Sequence, residues 1–436
     1  MTARSVRTVA TSPWFILAVA LIVRLGFAWN YVHHNPRQAL GALPFLFESG
    51  NIAYSLATGG GFSSPFRVPT GPTAWTTPIY PALLAGIFRI FGTYTFASFV
   101  AAASLNILFS ALVCIPLFFA SRRAFGTGVA AGAAWLWAIF PNAFQIPVES
   151  MWEACLAALL AATILWATLA LDQSGPLRDW CAYGLLWGFA LMTSAAMASL
   201  PPFLLGWLAF RARRHAGDDR ASQVRNDARS WLAQPALAAT LALLCCVPWT
   251  VRNYKIFHTF VPLRSVAGLQ LWLGNNPDAH YIWLGTQHPI FNSDERALYI
   301  EMGEIAYMRE KRQLALQFIA SHPQREAQLI WHRFLALWAG GTPYPVKDFL
   351  RARSLWFRSV LFFNVLAAIA ALLGIVALIR KRHSYAFPVV VFPIVFPCVY
   401  YMTLALPRYR LPIDPVVMLL ASVGLGTVFA GRQSRG

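Results

Sequence analysis

Acidic residues are scarce in this sequence. Its 436 residues include 17 aspartates and glutamates against 35 lysines and arginines, which gives a formal net charge of +18, and only 12% of residues are charged. A soluble globular domain carries about 25% charged residues. Hydrophobic residues make up 58% of the chain. These proportions exclude an ordinary soluble globular protein and predict a polytopic membrane protein.

Cysteine pairs with metal-site spacing are absent as well. The six cysteines show no CxxC spacing of the kind that zinc sites use. All six fall within apolar runs, where free cysteine behaves as a small buried hydrophobe. We therefore interpret them as core residues and not as metal ligands.

Long apolar runs, in contrast, recur along almost the whole chain. About 20 apolar residues are needed to cross a hydrocarbon core of ~30 Å. By this measure we predict an all-α polytopic membrane protein with about 10–11 spans. The delimited runs are residues 13–31, 94–120, 127–146, 150–171, 180–196, 197–211, 231–250, 355–379, 384–405 and 413–430. The first run contains Arg24 and no small-residue cleavage site, so we expect a retained helix and not a removed signal peptide.

The basic residues indicate how the chain crosses the membrane. If the spans alternate, the basic clusters fall on one side, at residues 4–7, 122–123, 178, 211–229, 380–383 and 432–435. The positive-inside rule makes that side cytoplasmic, with both termini inside. The opposite side receives a first loop at 32–93, a segment at 251–354 and the link PRYRLPIDP. We accordingly divide the chain into an N-terminal bundle (1–250), the extracytoplasmic segment 251–354 and C-terminal helices (355–436).

Both long extracytoplasmic segments are expected to contain helices. Residues 48–58 form an amphipathic pattern that a glycine triplet ends, and residues 76–92 are too short to span, which favours a helix at the membrane interface. In the second segment, Ser293 fits a helix start, and His322-Pro323 fits its end. These pieces are too small to bury a large core of their own, so we expect them to pack against the membrane bundle.

Two acids stand apart from other charges. Glu48 is the only acid in the first 148 positions, and Glu153 lies at the edge of a predicted span. An ionisable side chain at the membrane boundary is costly unless it faces a polar cavity or a partner. We therefore treat both as candidates for chemistry, with a structural ion pair to Arg24, Arg67 or Arg89 as the alternative.

The acids between residues 294 and 326 form a different pattern. Most of them stand among arginines and lysines at helical spacing. Such a pattern is typical of a solvated helix face with ion pairs one turn apart. We assign these acids no chemical role.

Two arginines lie in the link LPRYRLPIDP, between two predicted spans. Prolines frame Arg408 and Arg410 and stiffen the link by fixing φ. A guanidinium binds phosphate oxygens through paired hydrogen bonds and stays charged at accessible pH. The pair is therefore a candidate phosphate site. General contact with lipid headgroups, or pairing with Asp414, is the alternative.

The stretch LWLGNNPDAHYIW is a candidate sugar site. Asn275 and Asn276 stand near Trp272, and amide and aromatic groups together suit sugar hydroxyls and ring faces. Asn-Asn-Pro is equally typical of a turn. Both interpretations stay open at this point.

No firm cofactor is indicated. His33 and His34 are adjacent, but spacing places no third ligand near them, so we assign no metal-binding residue. A divalent ion such as Mg or Mn stays open as a cofactor. The exposed basic residues face a membrane surface, so we expect membrane lipids and not nucleic acid as partners.

The order of these features resembles a known family. Glu48, the short helix in NIAYSLATGGGF, the stretch PIYPALLAGIFRIFG, an acid at the outer end of a later span, and PRYRLPIDP before the last span follow one another. This order resembles the bacterial GT-C fold glycosyltransferases of the dolichyl-phosphate-mannose/protein mannosyltransferase-like superfamily, also described as family 39-like or ArnT-like. The resemblance covers the chain from about Val23 to about Leu420.

The resemblance implies a GT-C type transmembrane bundle with interfacial helices and a small α-helical extracytoplasmic segment. It implies a glycosyltransferase that moves a hexosyl or pentosyl group from a polyprenyl-phosphate sugar to the hydroxyl of a lipid, polysaccharide or protein acceptor. The implied site lies on the outer face of the bacterial inner membrane.

The resemblance also implies roles for single residues. The family's acid in the first outer loop falls by position on Glu48, with Glu153 as the alternative catalytic acid. Such a transfer needs cationic groups for the departing phosphate, and we expect Arg408 and Arg410, together with Arg67, to supply them.

Two other classes of function stay open. A lipid-linked saccharide transporter or a non-catalytic scaffold fits the composition, but a transporter would usually show repeat symmetry and charges at the membrane midplane. An O-antigen ligase or polymerase-like enzyme would rest on a large outer loop with arginine and histidine, which the segment 251–354 partly matches.

Overall fold

The computed structural model describes residues 10–41, 43–171, 175–218, 230–280 and 285–433, and within these ranges the regular elements are helices. The α-helices are α1 (Pro13–His34), α2 (Glu48–Ala57), α3 (Ile79–Phe91), α4 (Phe96–Leu112), α5 (Cys114–Ile139), α6 (Pro141–Glu149), α7 (Ala154–Ala170), α8 (Leu177–Thr193), α9 (Pro201–Asp218), α10 (Ser230–Phe257), α11 (Ala267–Gly274), α12 (Ser293–Met302), α13 (Glu304–Ser321), α14 (Pro323–Ala339), α15 (Pro345–Arg351), α16 (Leu355–Arg380), α17 (Ala386–Val395), α18 (Cys398–Met402), α19 (Pro407–Arg410) and α20 (Asp414–Gln433). Short 3-10 helices span Pro36–Ala39, Leu43–Phe45, Ala195–Ser199 and Leu411–Ile413. The all-α prediction is confirmed.

Six stretches of the described residues are long and apolar enough to cross a membrane: Pro13–His34, Phe96–Ile139, Ala195–Arg214, Leu232–Phe257, Leu355–Arg380 and Pro407–Thr427. The second is 44 residues long and is interrupted at Gly126, whose φ of 84° is non-helical. That stretch therefore contains two of the spans predicted from the sequence. Shorter apolar helices such as α7, with 17 residues, reach only about 26 Å at ~1.5 Å per residue. Counting by helix length thus gives fewer spans than counting apolar runs.

The C-terminal helices pack into the N-terminal bundle. Helix α20 lies against both α16 and α5. The contact with α16 is close because each helix presents a glycine: a Cβ at Gly374 would lie 2.0 Å from the Leu420 carbonyl oxygen, and one at Gly424 would lie 2.2 Å from the Ala370 carbonyl oxygen. Small residues permit such close approach of two backbones in membranes.

The segment 251–354 shares a core with the first loop. One hydrophobic cluster combines first-loop residues with residues of α11, α12 and α13: Ile52, Phe66, Trp75, Val266, Leu269, Tyr299, Tyr307 and Met308. The loop and the segment therefore hold each other in place at one end of the bundle.

The sequence predicts one helix from Ser293 to His322, and this is wrong. Helix α12 ends at Met302, and α13 begins at Glu304. Gly303 between them has a φ of 75°, a backbone conformation that favours glycine and interrupts an α-helix. The break places Glu304 at the first turn of α13, where its side chain is buried.

Candidate active site

One cavity collects three of the residues that the sequence singles out. Its volume is about 80 Å³, which is room for several water-sized groups. The acidic and basic residues in its wall come from four distant parts of the chain: Glu48, Glu153, Arg264, His288 and Arg408. Aromatic side chains complete the wall: Phe47, Trp75, Trp152, Tyr400 and Tyr409.

Glu48 is the first residue of α2, and its side chain is buried. A carboxylate at a helix N-terminus is stabilised by the helix dipole. Its Oε1 atom lies 3.0 Å from Nε2 of His288. The arginines considered as structural partners bond elsewhere: Arg24 donates to the Ala20 and Ala138 carbonyl oxygens, and Arg89 donates to the Leu56 carbonyl oxygen.

His288 fixes the orientation of the Glu48 carboxylate. The backbone N–H of Ile290 donates to Nδ1 of His288 over 3.2 Å, so the neutral imidazole carries its proton on Nε2 and donates it to Glu48. His288 lies 240 positions after its partner, and no spacing in the sequence connects the two residues. Its signal was a histidine in an apolar stretch, HPIF, within the segment predicted to lie outside the membrane.

Glu153 directly precedes α7 and lines the same cavity as Glu48. Among the described residues, no lysine, arginine or histidine forms an ion pair with it. Glu149, one turn earlier, is exposed and accepts a hydrogen bond from Gln145 over 2.8 Å. The structure therefore brings together the two acids that the sequence selects and leaves Glu149 outside the cavity wall.

Arg408 is held by aromatic rings and not by an acid. Its guanidinium carbon lies 4.7 Å from the ring centre of Trp152, 5.3 Å from that of Tyr409 and 5.7 Å from that of Phe47. Its buried Nε atom has no hydrogen-bond partner in the part of the chain that the structure describes. A second arginine of the wall, Arg264, donates to Oε1 of Gln270 over 3.1 Å. The cavity thus combines two carboxylates with two guanidinium groups.

Arg410 does not line this cavity. It is buried and donates to Oδ1 of Asp414 over 2.6 Å, to the Leu337 and Trp338 carbonyl oxygens, and to Asn364. These bonds use four of the five N–H donors of the guanidinium and connect α19 to α14 and α16. The pairing with Asp414 that the sequence left as an alternative is the arrangement found.

The other predicted ligand-binding residues also lie outside the cavity wall. Arg67 lines a different cavity. Asn275 donates to the Leu271 and Met402 carbonyl oxygens and accepts from Arg333, and Asn276 donates to the Trp272 carbonyl oxygen. These two asparagines therefore follow the turn interpretation. Trp272 donates to Gln287 over 2.7 Å.

The buried carboxylate of Glu304 anchors two backbone segments that carry residues of the cavity wall. Glu304 accepts hydrogen bonds from the Ala74 backbone N–H over 2.8 Å, from Ser265 over 2.6 Å, from Tyr299 over 2.7 Å, and from Thr73. Burial raises the pKa of Tyr299, and the nearby Glu304 carboxylate raises it further, so the phenol stays a proton donor. Trp75 follows the anchored residue Ala74, and Arg264 precedes the anchored residue Ser265. Both Trp75 and Arg264 line the cavity.

A metal site is not evident in the described ranges. They contain no group of three histidine, cysteine, aspartate or glutamate side chains that could hold an ion. His33 and His34 lie at the exposed end of α1, with ring centres 5.3 Å apart. The residues found do not supply the ligand set of a divalent ion, and we derive no step through one.

Residues 75–251 match the family model described as dolichyl-phosphate-mannose-protein mannosyltransferase. The matched range includes Glu153 but neither Glu48 nor Arg408. No curated protein matches the chain by sequence.

Solved structures share the fold. An apo crystal structure of the oligosaccharyltransferase from Archaeoglobus fulgidus is 13% identical, with a TM-score of 0.55, and the match covers 96% of this chain and 51% of that one. The same archaeal enzyme, AglB, in complex with an inhibitory peptide and a dolichol-phosphate, is 12% identical, with a TM-score of 0.54 and coverage of 96% and 50%. The chain thus spans about half the length of this relative.

A third similar structure is ArnT from Cupriavidus metallidurans bound to undecaprenyl phosphate. It is 16% identical, with a TM-score of 0.38, over 96% of this chain and 78% of that one. The family match and the shared fold of the archaeal enzyme confirm the resemblance to the GT-C glycosyltransferases and the expected fold class.

Proposed function

We propose that this GT-C fold protein is a membrane glycosyltransferase that moves a sugar from a polyprenyl-phosphate-linked donor to an acceptor hydroxyl. One observation carries the proposal. A single cavity contains the carboxylates of Glu48 and Glu153 together with Arg408, which forms no ion pair within the described residues. The family match and the shared fold support the same class of activity.

Glu48 acts as the base in this proposal. Its carboxylate accepts the proton of the acceptor hydroxyl while that oxygen forms a bond to the anomeric carbon of the donor sugar. The bond between the anomeric carbon and the phosphate oxygen breaks, and its electron pair leaves with the phosphate. A single displacement of this kind inverts the anomeric centre and needs one base. Because a phosphate is already a good leaving group, no general acid is required.

Arg408 and Arg264 stabilise the departing phosphate. Negative charge develops on the phosphate oxygens as the glycosidic bond breaks, and fixed guanidinium groups offset that charge. The aromatic rings around Arg408 hold it without neutralising it, since a ring face attracts a cation but accepts no proton. Glu153 accepts a hydrogen bond from a second hydroxyl of the acceptor or of the donor sugar.

His288 is a positioning residue. Its Nε2–H bond engages Oε1 of Glu48 and leaves the other carboxylate oxygen for the acceptor. Because Nδ1 accepts from Ile290, the imidazole keeps one tautomer during the reaction.

The donor and the membrane side belong to the same proposal. The archaeal relative was solved with a dolichol-phosphate, which supports a lipid phosphate as the carrier of the sugar. The basic clusters support cytoplasmic termini and a site on the outer face of a bacterial inner membrane. The acceptor is the hydroxyl of a lipid, a polysaccharide or a protein.

The test is transfer of a radiolabelled sugar by the purified full-length protein in lipid nanodiscs, with a panel of polyprenyl-phosphate hexoses and pentoses. Wild type is compared with Glu48→Gln, which removes the charge at nearly constant shape, and with the matched control Glu301→Gln on the exposed face of α12. We expect transfer or donor hydrolysis with at least one donor, lowered about 10²-fold or more by Glu48→Gln and unchanged by Glu301→Gln. Absence of turnover with every donor by folded protein would contradict the proposal.

A further inference from the structure

A second cavity lies alongside α2, from Asn51 in its first turn to Thr58 just past its end. It has a volume of about 690 Å³ and is lined by α2, by the loop from Gly60 to Gly71, and by Tyr94. Glu48 does not line it. The volume falls within the range of about 300–1,000 Å³ typical of small-molecule sites.

Arg67 supplies the charge of this second cavity. The residue is exposed, and its guanidinium has no hydrogen bond or ion pair with the described residues. The described residues that line the cavity include no acid. A guanidinium in such surroundings is suited to a carboxylate or phosphate, which it binds through paired hydrogen bonds.

An aromatic platform lies beside Arg67. The rings of Tyr54 and Tyr94 stack with their centres 5.2 Å apart and their planes 12° apart. Tyr54 is 42% exposed, so this pair offers an accessible ring face with phenol hydroxyls at its edge. Thr58 and Ser64 belong to the same wall; the Thr58 hydroxyl donates to the Tyr54 carbonyl oxygen, and the Ser64 hydroxyl accepts from the Thr70 N–H. Flat aromatic faces with surrounding hydroxyls match the apolar face and the hydroxyl rim of a sugar ring.

The loop that carries Arg67 is anchored at its base. The Ser64 N–H donates to the Gly71 carbonyl oxygen over 2.9 Å, and the Asn51 side chain donates to the Pro65 carbonyl oxygen over 3.0 Å. Phe66, next to Arg67, is buried. The cavity wall is therefore preformed, which lowers the entropy lost when a ligand binds.

We propose that this second cavity binds an anionic saccharide. Arg67 pairs with the carboxylate or phosphate of the sugar, and the stacked tyrosines receive its ring. A phosphatidylglycerol headgroup shares the anion but lacks the ring that the tyrosine pair fits. This proposal gives Arg67 a ligand separate from the donor phosphate, and it holds whether or not Glu48 is catalytic.

Binding is measured without a donor by isothermal titration of detergent-solubilised full-length protein. The probes are tetragalacturonate, an acidic tetrasaccharide, and maltotetraose, its neutral counterpart. The variants are Arg67→Gln, Tyr54→Ala and, as a matched control, Arg37→Gln, an exposed arginine of the same loop outside both cavities.

We expect tetragalacturonate to bind more tightly than maltotetraose and Arg67→Gln to weaken that binding about tenfold, the loss expected for one charged hydrogen bond. Tyr54→Ala should weaken both sugars, and Arg37→Gln should change neither. Equal Kd values for the two sugars, or an unchanged Kd in Arg67→Gln, would overturn the proposal.

A second arm separates a sugar from a lipid headgroup. The titration is repeated in nanodiscs of phosphatidylcholine and of phosphatidylglycerol. An unchanged Kd for tetragalacturonate supports the saccharide site. The proposal would be overturned if wild type lost tetragalacturonate binding in phosphatidylglycerol nanodiscs but not in phosphatidylcholine nanodiscs, and Arg67→Gln showed no such dependence on the lipid. That result would assign the cavity to an anionic headgroup.

Discussion

Removing the Glu304 carboxylate should destabilise the protein strongly. The side chain is buried and accepts four hydrogen bonds, two at each oxygen: Ala74 and Ser265 at Oε1, Thr73 and Tyr299 at Oε2. Glu304→Ala leaves these donors without an acceptor. Each buried donor that loses its acceptor costs about 1–3 kcal/mol in the free energy of unfolding.

Glu304→Gln should cost much less, and the structure gives the reason. The partners at Oε2 are both hydroxyls, which can rotate to accept from an amide NH₂. The Ala74 N–H cannot reverse its role, so the amide oxygen of the glutamine should lie at the Oε1 position. Glu304→Gln should therefore lower the free energy of unfolding by about 1–2 kcal/mol in total, because neutral hydrogen bonds replace charged ones.

The assay is thermal unfolding of the three proteins in the same detergent, followed by transfer measurements below the unfolding temperature. We expect the midpoint to fall in the order wild type, Glu304→Gln, Glu304→Ala. The alanine variant should also show a lower kcat, because Trp75 and Arg264 lose the anchoring of the residues beside them. An alanine variant that unfolds at the wild-type temperature would refute this reasoning.

Three further predictions follow from the cavity and its supports. His288→Phe should lower kcat more than tenfold because it removes the donor to Glu48, whereas His288→Gln, which can still donate, should retain most of the activity; equal loss in both would contradict a positioning role. Arg408→Gln should raise the KM for the donor about tenfold, which corresponds to the loss of one charged hydrogen bond. Arg410→Gln should instead lower the unfolding temperature. An effect of Arg410→Gln on KM without a change in unfolding temperature would count against the assignment. Burial raises the pKa of Tyr299 above the ordinary value of about 10, so the stability it contributes is complete below that value and falls as pH rises through the folded-state pKa; alkaline unfolding of Tyr299→Phe should show a weaker pH dependence than that of wild type.

Because acids are scarce, the sequence predicts two residues of the site, Glu48 and Glu153. Glu48 and Glu153 stand alone among apolar residues, and such acids must face a cavity or a partner. The structure brings both to one cavity with Arg408. The roles of these residues stay predictions until activity is measured.

The sequence could not separate Arg408 from Arg410. The two residues are two positions apart in α19, and residues at that spacing point to different sides of a helix. One side faces the cavity and the other faces Asp414 and Asn364. Only the packing of α19 determines that Arg408 lines the cavity and that Arg410 pairs with Asp414.

The roles of three residues depend on contacts between distant parts of the chain. The charged neighbours of Glu304 in the sequence predict a solvated helix face. Its actual partners include Thr73 and Ala74, about 230 positions away, and no local pattern reports them. His288 and Arg264 were missed for the same reason.

The most direct test of the central claim compares the single-turnover transfer rates of Glu48→Gln and Glu153→Gln with that of wild type, with the donor bound beforehand. Donor affinity is measured on the same samples, so that a loss of binding is not mistaken for a loss of chemistry. We expect Glu48→Gln to lower the rate about 10²-fold or more at unchanged donor affinity, and Glu153→Gln to lower it less. A Glu48→Gln rate within a few-fold of wild type, with Glu153→Gln inactive, would contradict the assignment of Glu48 as the base.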